Sequence, residues 1–247
     1  MIKHIKNINI CYEEYGNKNG KSVILLHGWG QNIEMMKPIG NGLQKNFHIF
    51  ILDLPGFGHS DDPSSIWTIY DYADLIFEFK KEMFIDNPII IGHSFGGKIG
   101  LAYASKYDVC KLVVLGSPFR KKIKQLSLKT KLLKTIKKLP GMDSIANLAK
   151  KYIGSTDYKN ASPLMRDILV EHVNLDITED VKKIKCSTLI IWGTKDDQVS
   201  IEDAYLLEKL IPDAGVVEYP NGTHYAYLEN LSQTINVLYS FLGELIN

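Results

Sequence analysis

Short apolar runs recur along the chain with little polar interruption: Val23-Ile24-Leu25-Leu26, Phe47 to Leu52, Ile89-Ile90-Ile91, Leu112-Val113-Val114-Leu115 and Leu189-Ile190-Ile191-Trp192. They are rich in β-branched residues and lack the alternation of a half-exposed strand, which predicts strands buried on both faces of a parallel sheet. Between them lie apolar positions at steps of three and four. One set is Ile69, Tyr72, Ala73, Ile76, Phe79 and Met83, a second Ile201, Ala204, Leu207 and Leu210, and a third Leu231, Ile235, Leu238, Leu242 and Leu245. Each fits one stripe of a helix. Strand and helix therefore alternate, the pattern of an α/β fold with a mostly parallel, doubly wound sheet. Ahead of it, residues 5–15 read as a hairpin partner joined through Asn17-Lys18-Asn19-Gly20 to the next strand.

The rhythm breaks after Leu115. From Pro118 to about Asp180 the buried-strand runs stop and helical patterns dominate, then the sheet resumes at Thr188. The expected organisation is a core formed by 1–117 and 181–247, with a helical cap inserted at 118–180. A length of 247 residues suits one large domain with an insertion. With 45% hydrophobic and 23% charged residues, it can bury a core without a disulfide or structural metal.

The three cysteines, Cys11, Cys110 and Cys186, are odd in number and far apart, so neither a disulfide framework nor a zinc ribbon is expected. Each lies in or just before an apolar run, where packing is the better reading than nucleophilic chemistry. The opening Met1-Ile2-Lys3-His4-Ile5-Lys6 lacks the apolar core of a signal peptide, and no apolar stretch approaches the roughly 18 residues of a membrane span. The expectation is a cytoplasmic protein with no transmembrane segment.

Net charge is only +1, but it is unevenly divided. Residues 118–151 hold eleven Lys and Arg against a single acid, Asp143, for a local charge of +10, and the remainder carries −9. Within this segment Ile123, Leu126, Leu132, Leu133, Ile136 and Leu139 form an apolar stripe with lysines opposite. An amphipathic cap helix covering a pocket accounts for the pattern. Attraction of an acidic partner or substrate is the functional alternative. Nucleic-acid binding is not expected, because no aromatic residues interleave the lysines.

The strongest chemical signal is Gly92-His93-Ser94-Phe95-Gly96, which follows the run Ile89-Ile90-Ile91 and leads into a helical stretch from Gly97 to Lys106. A G-x-S-x-G between strand and helix is a sharp turn that lifts the serine hydroxyl above the sheet edge, with glycines where side chains would collide. The N–H of Phe95, at the start of the helix, points to where an oxyanion would form. A serine needs a base oriented by an acid, in the chain order Ser, acid, His. His224 in Asn221-Gly222-Thr223-His224, after the strand-like Val216 to Tyr219, suits the base. Asp196 and Asp197 follow a buried strand, where α/β sheets place their sites, and spacing does not choose between them. The turn His27-Gly28-Trp29-Gly30, straight after Val23 to Leu26, lets a second backbone N–H approach the substrate.

Gly16-Asn17-Lys18-Asn19-Gly20-Lys21-Ser22 imitates a phosphate-binding loop but is one residue short, and it precedes a strand instead of following one. H-E-x-x-H, G-x-G-x-x-G and EF-hand patterns are absent from the sequence. No metal and no cofactor is expected.

Five motifs in this order resemble the α/β-hydrolase superfamily. They are His27-Gly28-Trp29-Gly30, Asp53-Leu54-Pro55-Gly56-Phe57-Gly58-His59-Ser60, Gly92-His93-Ser94-Phe95-Gly96-Gly97, Gly193-Thr194-Lys195-Asp196 and Gly222-Thr223-His224. The resemblance runs from about residue 8 to the end, with 118–180 in the place of the family's variable helical cap. It implies Ser94 as nucleophile, Asp196 as acid and His224 as base, with the Trp29 and Phe95 N–H groups as oxyanion hole. The serine at the elbow is unlike the haloalkane dehalogenases and epoxide hydrolases, which carry aspartate there. The set is similar to small bacterial carboxylesterases, including the pimeloyl-ester esterase type, and to the carbon–carbon bond hydrolases of aromatic catabolism. The implied partner is a small-molecule acyl substrate, an ester or thioester. The alternatives are a carbon–carbon or amide bond hydrolase with the same triad, or a ligand-sensing protein that retains the fold.

Overall fold

The computed structural model describes residues 1–121 and 161–243. Two units partition the chain: Met1–Arg120 with Asp176–Asn247, and Lys121–Leu175. The first holds an eight-stranded sheet in the order β1-β2-β4-β3-β5-β6-β7-β8. Its strands are β1 (Ile2–Ile5), β2 (Ile8–Gly16), β3 (Ser22–Leu26), β4 (His48–Leu52), β5 (Ile89–His93), β6 (Lys111–Leu115), β7 (Thr188–Gly193) and β8 (Ala214–Tyr219). β4, β3, β5, β6, β7 and β8 run parallel, while β1 and β2 add an antiparallel edge.

The apolar runs explain why these strands lie in the middle. Val23, Leu25, Ile49, Ile51, Ile89, Ile91, Val113 and Leu115 point to one face. There they pack against α1 (Lys37–Leu43) and α8 (Leu231–Leu242) through Ile39, Leu43, Leu238 and Leu242. Ile24, Ile90 and Leu112 alternate to the other face, all fully buried. On that face α3 (Phe95–Lys106) brings Gly100 against Leu112 and Ile90. Burial of each such side chain contributes on the order of 1.5–3 kcal/mol, so a continuous apolar run holds a two-faced strand where alternation would not. α2 (Ile69–Glu82) packs beside α3 and starts at a capping box in which Thr68 and Asp71 bond each other's backbone N–H. The remaining helices of this unit are α5 (Thr178–Val181), α6 (Ile201–Leu210) and α7 (Ala226–Glu229).

The expected hairpin between residues 5–15 and the next strand does not form. β2 pairs instead with β4, Tyr12 opposite Leu52, and β3 lies on the far side of β4. A hairpin does occur, but between β1 and β2. Its two turn residues, Lys6 and Asn7, both take positive φ, 47° and 66°. The Asn17–Gly20 loop therefore crosses over β4. A gap of a few residues favours local pairing only when no other strand outcompetes it.

In the second unit the described element is α4 (Pro163–Asn174). Ser162 caps it by accepting from the Met165 N–H at 3.3 Å, and Pro163 supplies the fixed φ suited to a first helical turn. The basic, lysine-faced stripe from Ile123 to Leu139 lies outside the described residues. Among the described residues no helix is long and apolar enough to cross a membrane.

Candidate active site

All the predicted site residues fall on turns that follow the carboxyl ends of parallel strands. β3 has β4 on one side and β5 on the other, so the chain reverses its winding direction at β3. Such a switch point opens a crevice beyond the strand ends. The turn after β3 carries Trp29 and the turn after β5 carries Ser94. They meet directly: the Gly96 N–H donates to the His27 carbonyl at 3.1 Å, and the Trp29 and Phe95 rings touch edge to face at 5.1 Å.

Ser94 sits at φ 51° and ψ −109°, a conformation that non-glycine residues avoid. Holding it there costs about 1–3 kcal/mol, which the surrounding structure must supply. It is held by its own N–H on the Leu115 carbonyl at 2.9 Å and by its carbonyl, which accepts from Lys98 N–H at 3.0 Å. Gly92 and Gly96 make the turn sterically feasible. A Cβ on Gly92 would lie 2.4 Å from the Gly96 carbonyl oxygen, and one on Gly96 would lie 2.4 Å from that of Leu26. Phe95 is the first residue of α3, where backbone N–H groups have no partner within the helix.

The structure separates the two candidate acids. Asp196 Oδ2 lies 2.8 Å from His224 Nδ1, whereas Asp197 is solvent-exposed. Asp196 Oδ1 accepts from the N–H groups of Gln198 and Val199 at 2.8 and 2.9 Å, which fixes the carboxylate plane. The Trp192 indole, buried under the same turn, donates to the Val199 carbonyl at 3.0 Å. An ionised carboxylate only accepts, so the proton of a neutral His224 lies on Nδ1 and leaves Nε2 bare, the state a base requires. Backbone bonds also zip the two turns together. Lys195 N–H donates to the Gly222 carbonyl at 2.9 Å, and Asn221 N–H to Thr194 Oγ1 at 2.8 Å. The ring of His224 lies 4.8 Å from that of His93, the neighbour of Ser94.

Two further residues at this site escaped the sequence reading. Gly116, after β6, has φ 54°, and a Cβ there would come within 3.3 Å of both Asp196 Oδ2 and His224 Nδ1. A glycine following a buried strand was the available signal. Gln31 accepts from Gly28 N–H at 2.9 Å and so braces the turn that carries Trp29. Nothing in its local sequence marks it.

The Asp53 motif supports the site without entering it. Asp53 is buried and accepts from the Ile33 and His59 N–H groups, both at 2.8 Å. His27 Nε2 accepts from the Leu54 N–H at 3.0 Å while its Nδ1 donates to the Gly28 carbonyl at 2.8 Å. Burial pushes the His27 imidazole down to about 4. Cys11, Asp53 and His59 bring three donor atoms within 4.8 Å of one another. Burial and then the neighbouring Asp53 charge raise the Cys11 thiol, so it stays protonated, and both Asp53 oxygens are already engaged. Hydrogen bonding explains that cluster without an ion.

The sheet order, the crossover turns and the Ser94 elbow together identify the fold. The chain has the α/β-hydrolase fold. The family model for the alpha/beta hydrolase fold matches residues 21–126 of the chain. Among known proteins, it is similar to the AB hydrolase superfamily protein YisY of Bacillus subtilis, 27% identical over 97% of each chain. It is also similar to Lipase 1 of Psychrobacter immobilis, 29% identical over 91% of this chain and 78% of that one. Of solved structures, a bacterial membrane phospholipase A superposes with a TM-score of 0.80 at 21% identity, covering 98% of this chain and 85% of that chain.

Proposed function

We propose that the protein is a serine hydrolase that cleaves a small to medium carboxylic ester or thioester through an acyl-enzyme on Ser94. The observation that carries this reading is the Asp196–His224 hydrogen bond, 2.8 Å long and buried, presented beside the strained Ser94 turn. Structural histidines do not need a carboxylate locked by two amides to set their tautomer, and structural serines do not occupy a strained elbow. The similarity to Lipase 1 over most of the chain supports an ester as the bond cleaved.

His224 Nε2 takes the Ser94 proton as Oγ attacks the carbonyl carbon. The oxyanion forms between the Phe95 and Trp29 amides, each such donor contributing about 100–1000-fold to the rate. Protonated His224, with its charge balanced by Asp196, gives the proton to the departing alcohol or thiol. Water deprotonated by His224 then attacks the acyl-Ser94 ester, and the carboxylic acid leaves. His224 returns the water's proton to Ser94 Oγ as the acyl bond breaks, which restores the free enzyme with one water consumed.

The test is hydrolysis of p-nitrophenyl esters from acetate to palmitate, alongside Ser94→Ala. Turnover in the wild type that disappears in the variant supports the reading, and the preferred chain length sizes the acyl site. Turnover that persists in Ser94→Ala, or none with any ester or thioester, would overturn it.

A further inference from the structure

His93 is completely buried beside the reacting groups, yet the mechanism above gives it no task. Its Nε2 lies 3.1 Å from the main-chain carbonyl oxygen of His224, which can only accept. Next to it a second link runs to the His224 turn, this one from the turn after β3. Gln31 Oε1 accepts from the Gly28 N–H at 2.9 Å, and its Nε2 donates to the Tyr225 hydroxyl at 3.4 Å. The two links touch, since His93 Nδ1 lies 3.2 Å from Gln31 Oε1. A neutral imidazole carries one N–H. Burial keeps this ring neutral, so its one proton serves only one of the two acceptors it faces, and on Nε2 it donates to the His224 carbonyl, the shorter of the two contacts.

We infer that His93 and Gln31 are positioning residues, paired struts of which His93 fixes the main chain of the His224 turn against the Ser94 elbow and Gln31 ties the Tyr225 side chain of that turn to the Gly28-Trp29 turn. This rests on the reading of His224 as the base. Asp196 orients the His224 ring in its plane, but a ring can pivot only as accurately as the backbone that bears it. The turn at residues 221–225 is also secured to the acid's turn, through Gly222 and Asn221. The two struts add registration between base, nucleophile and oxyanion donors. Misplacement by about 1 Å at such a site is worth about 100-fold in rate.

The experiment compares His93→Leu, which keeps the bulk and removes the donor, with His93→Gln, which returns an amide N–H near the Nε2 position, and with Gln31→Met. The expected result is a kcat about 30-fold lower in His93→Leu with KM little changed, and recovery to within about three-fold of wild type in His93→Gln. Gln31→Met should lower kcat by a smaller factor, and its effect should be less than additive with His93→Leu because the struts touch. Hydrogen–deuterium exchange should quicken in the peptide covering 222–227 in His93→Leu and return to the wild-type rate in His93→Gln. Equal kcat values in the Leu and Gln variants, whether both high or both low, would overturn the inference. So would unchanged exchange at 222–227 in His93→Leu. The exchange measurement reads the strut without turnover. If no ester is hydrolysed, it still decides the strut while the proposed function fails separately.

Discussion

The two ends of the same parallel strands make very different surfaces. At their amino ends stand Lys21, Pro88, Lys111 and Ser187, most of them half-buried or exposed and joined by ordinary sheet and loop bonds. At their carboxyl ends stand Gly28, Asp53, Ser94, Gly116 and Asp196, each buried or half-buried. Here positive φ angles and buried imidazoles concentrate. Ser94 and Gly116 sit at 51° and 54°, and burial lowers His27 and His93 to about 4 and about 3. Strain is not absent from the amino rim, where Phe84 and Asn87 also take positive φ, but the buried imidazoles gather at the carboxyl rim, the end at which α/β sheets place their sites.

The contrast is broken most severely at the nucleophile. Ser94→Ala should lower kcat for ester hydrolysis by as much as about a millionfold, while the unfolding midpoint stays level because alanine keeps the Cβ and so the same backbone strain. Steady-state kinetics and a urea titration check both halves.

Acid should next find the carboxyl rim before the amino rim. His27 and His93 are neutral when folded, with values of about 4 and about 3 against an ordinary 6.5. Unfolding frees both rings to take up protons below about pH 6.5, so the unfolded chain binds more protons and stability falls as pH drops from there toward 4. Two protons correspond to a slope of about 2.7 kcal/mol per pH unit in the steepest part. Above pH 6.5 the rings are neutral in both states and the effect vanishes. Urea midpoints from pH 7.5 to 4.5 measure this, and a flat profile would contradict the burial account.

Gly116→Ala sharpens the comparison at a residue with no polar atom of its own beyond the backbone. The new methyl meets the Asp196–His224 bond, and the φ of 54° strains any L side chain. Activity should fall about 100-fold, with about 1–3 kcal/mol lost in stability. The smallest effects belong to the other rim. Lys21→Ala and Ser187→Ala should change kcat by less than two-fold and stability by about 0.5 kcal/mol or less, within the ordinary range of surface substitutions.

Most of this architecture was legible in the chain because buried parallel strands leave uninterrupted apolar runs. β3, β5, β6 and β7 coincide with Val23–Leu26, Ile89–Ile91, Leu112–Leu115 and Leu189–Trp192 to within two residues. Pairing was less legible. Nothing local to residues 8–20 shows that β4 intervenes between β2 and β3, since that depends on a strand some thirty residues further on. The same limit governed the site. The elbow and the His224 turn are local patterns, whereas spacing left Asp196 and Asp197 open, only the resemblance pointed to Asp196, and the distance that separates them spans 28 positions of chain. Gly116 and the Gln31 contacts to His93 and Tyr225 reach 62 or more positions along the chain, and no spacing rule reaches that far.

The most direct test of the central claim is labelling with a fluorophosphonate, which reacts only with a serine made nucleophilic by a neighbouring base. After digestion, mass mapping of the adduct should place one label per chain on Ser94, with none in Ser94→Ala and a much slower reaction in His224→Ala. A wild-type protein that takes no label, or that is labelled equally well in Ser94→Ala, would contradict the account.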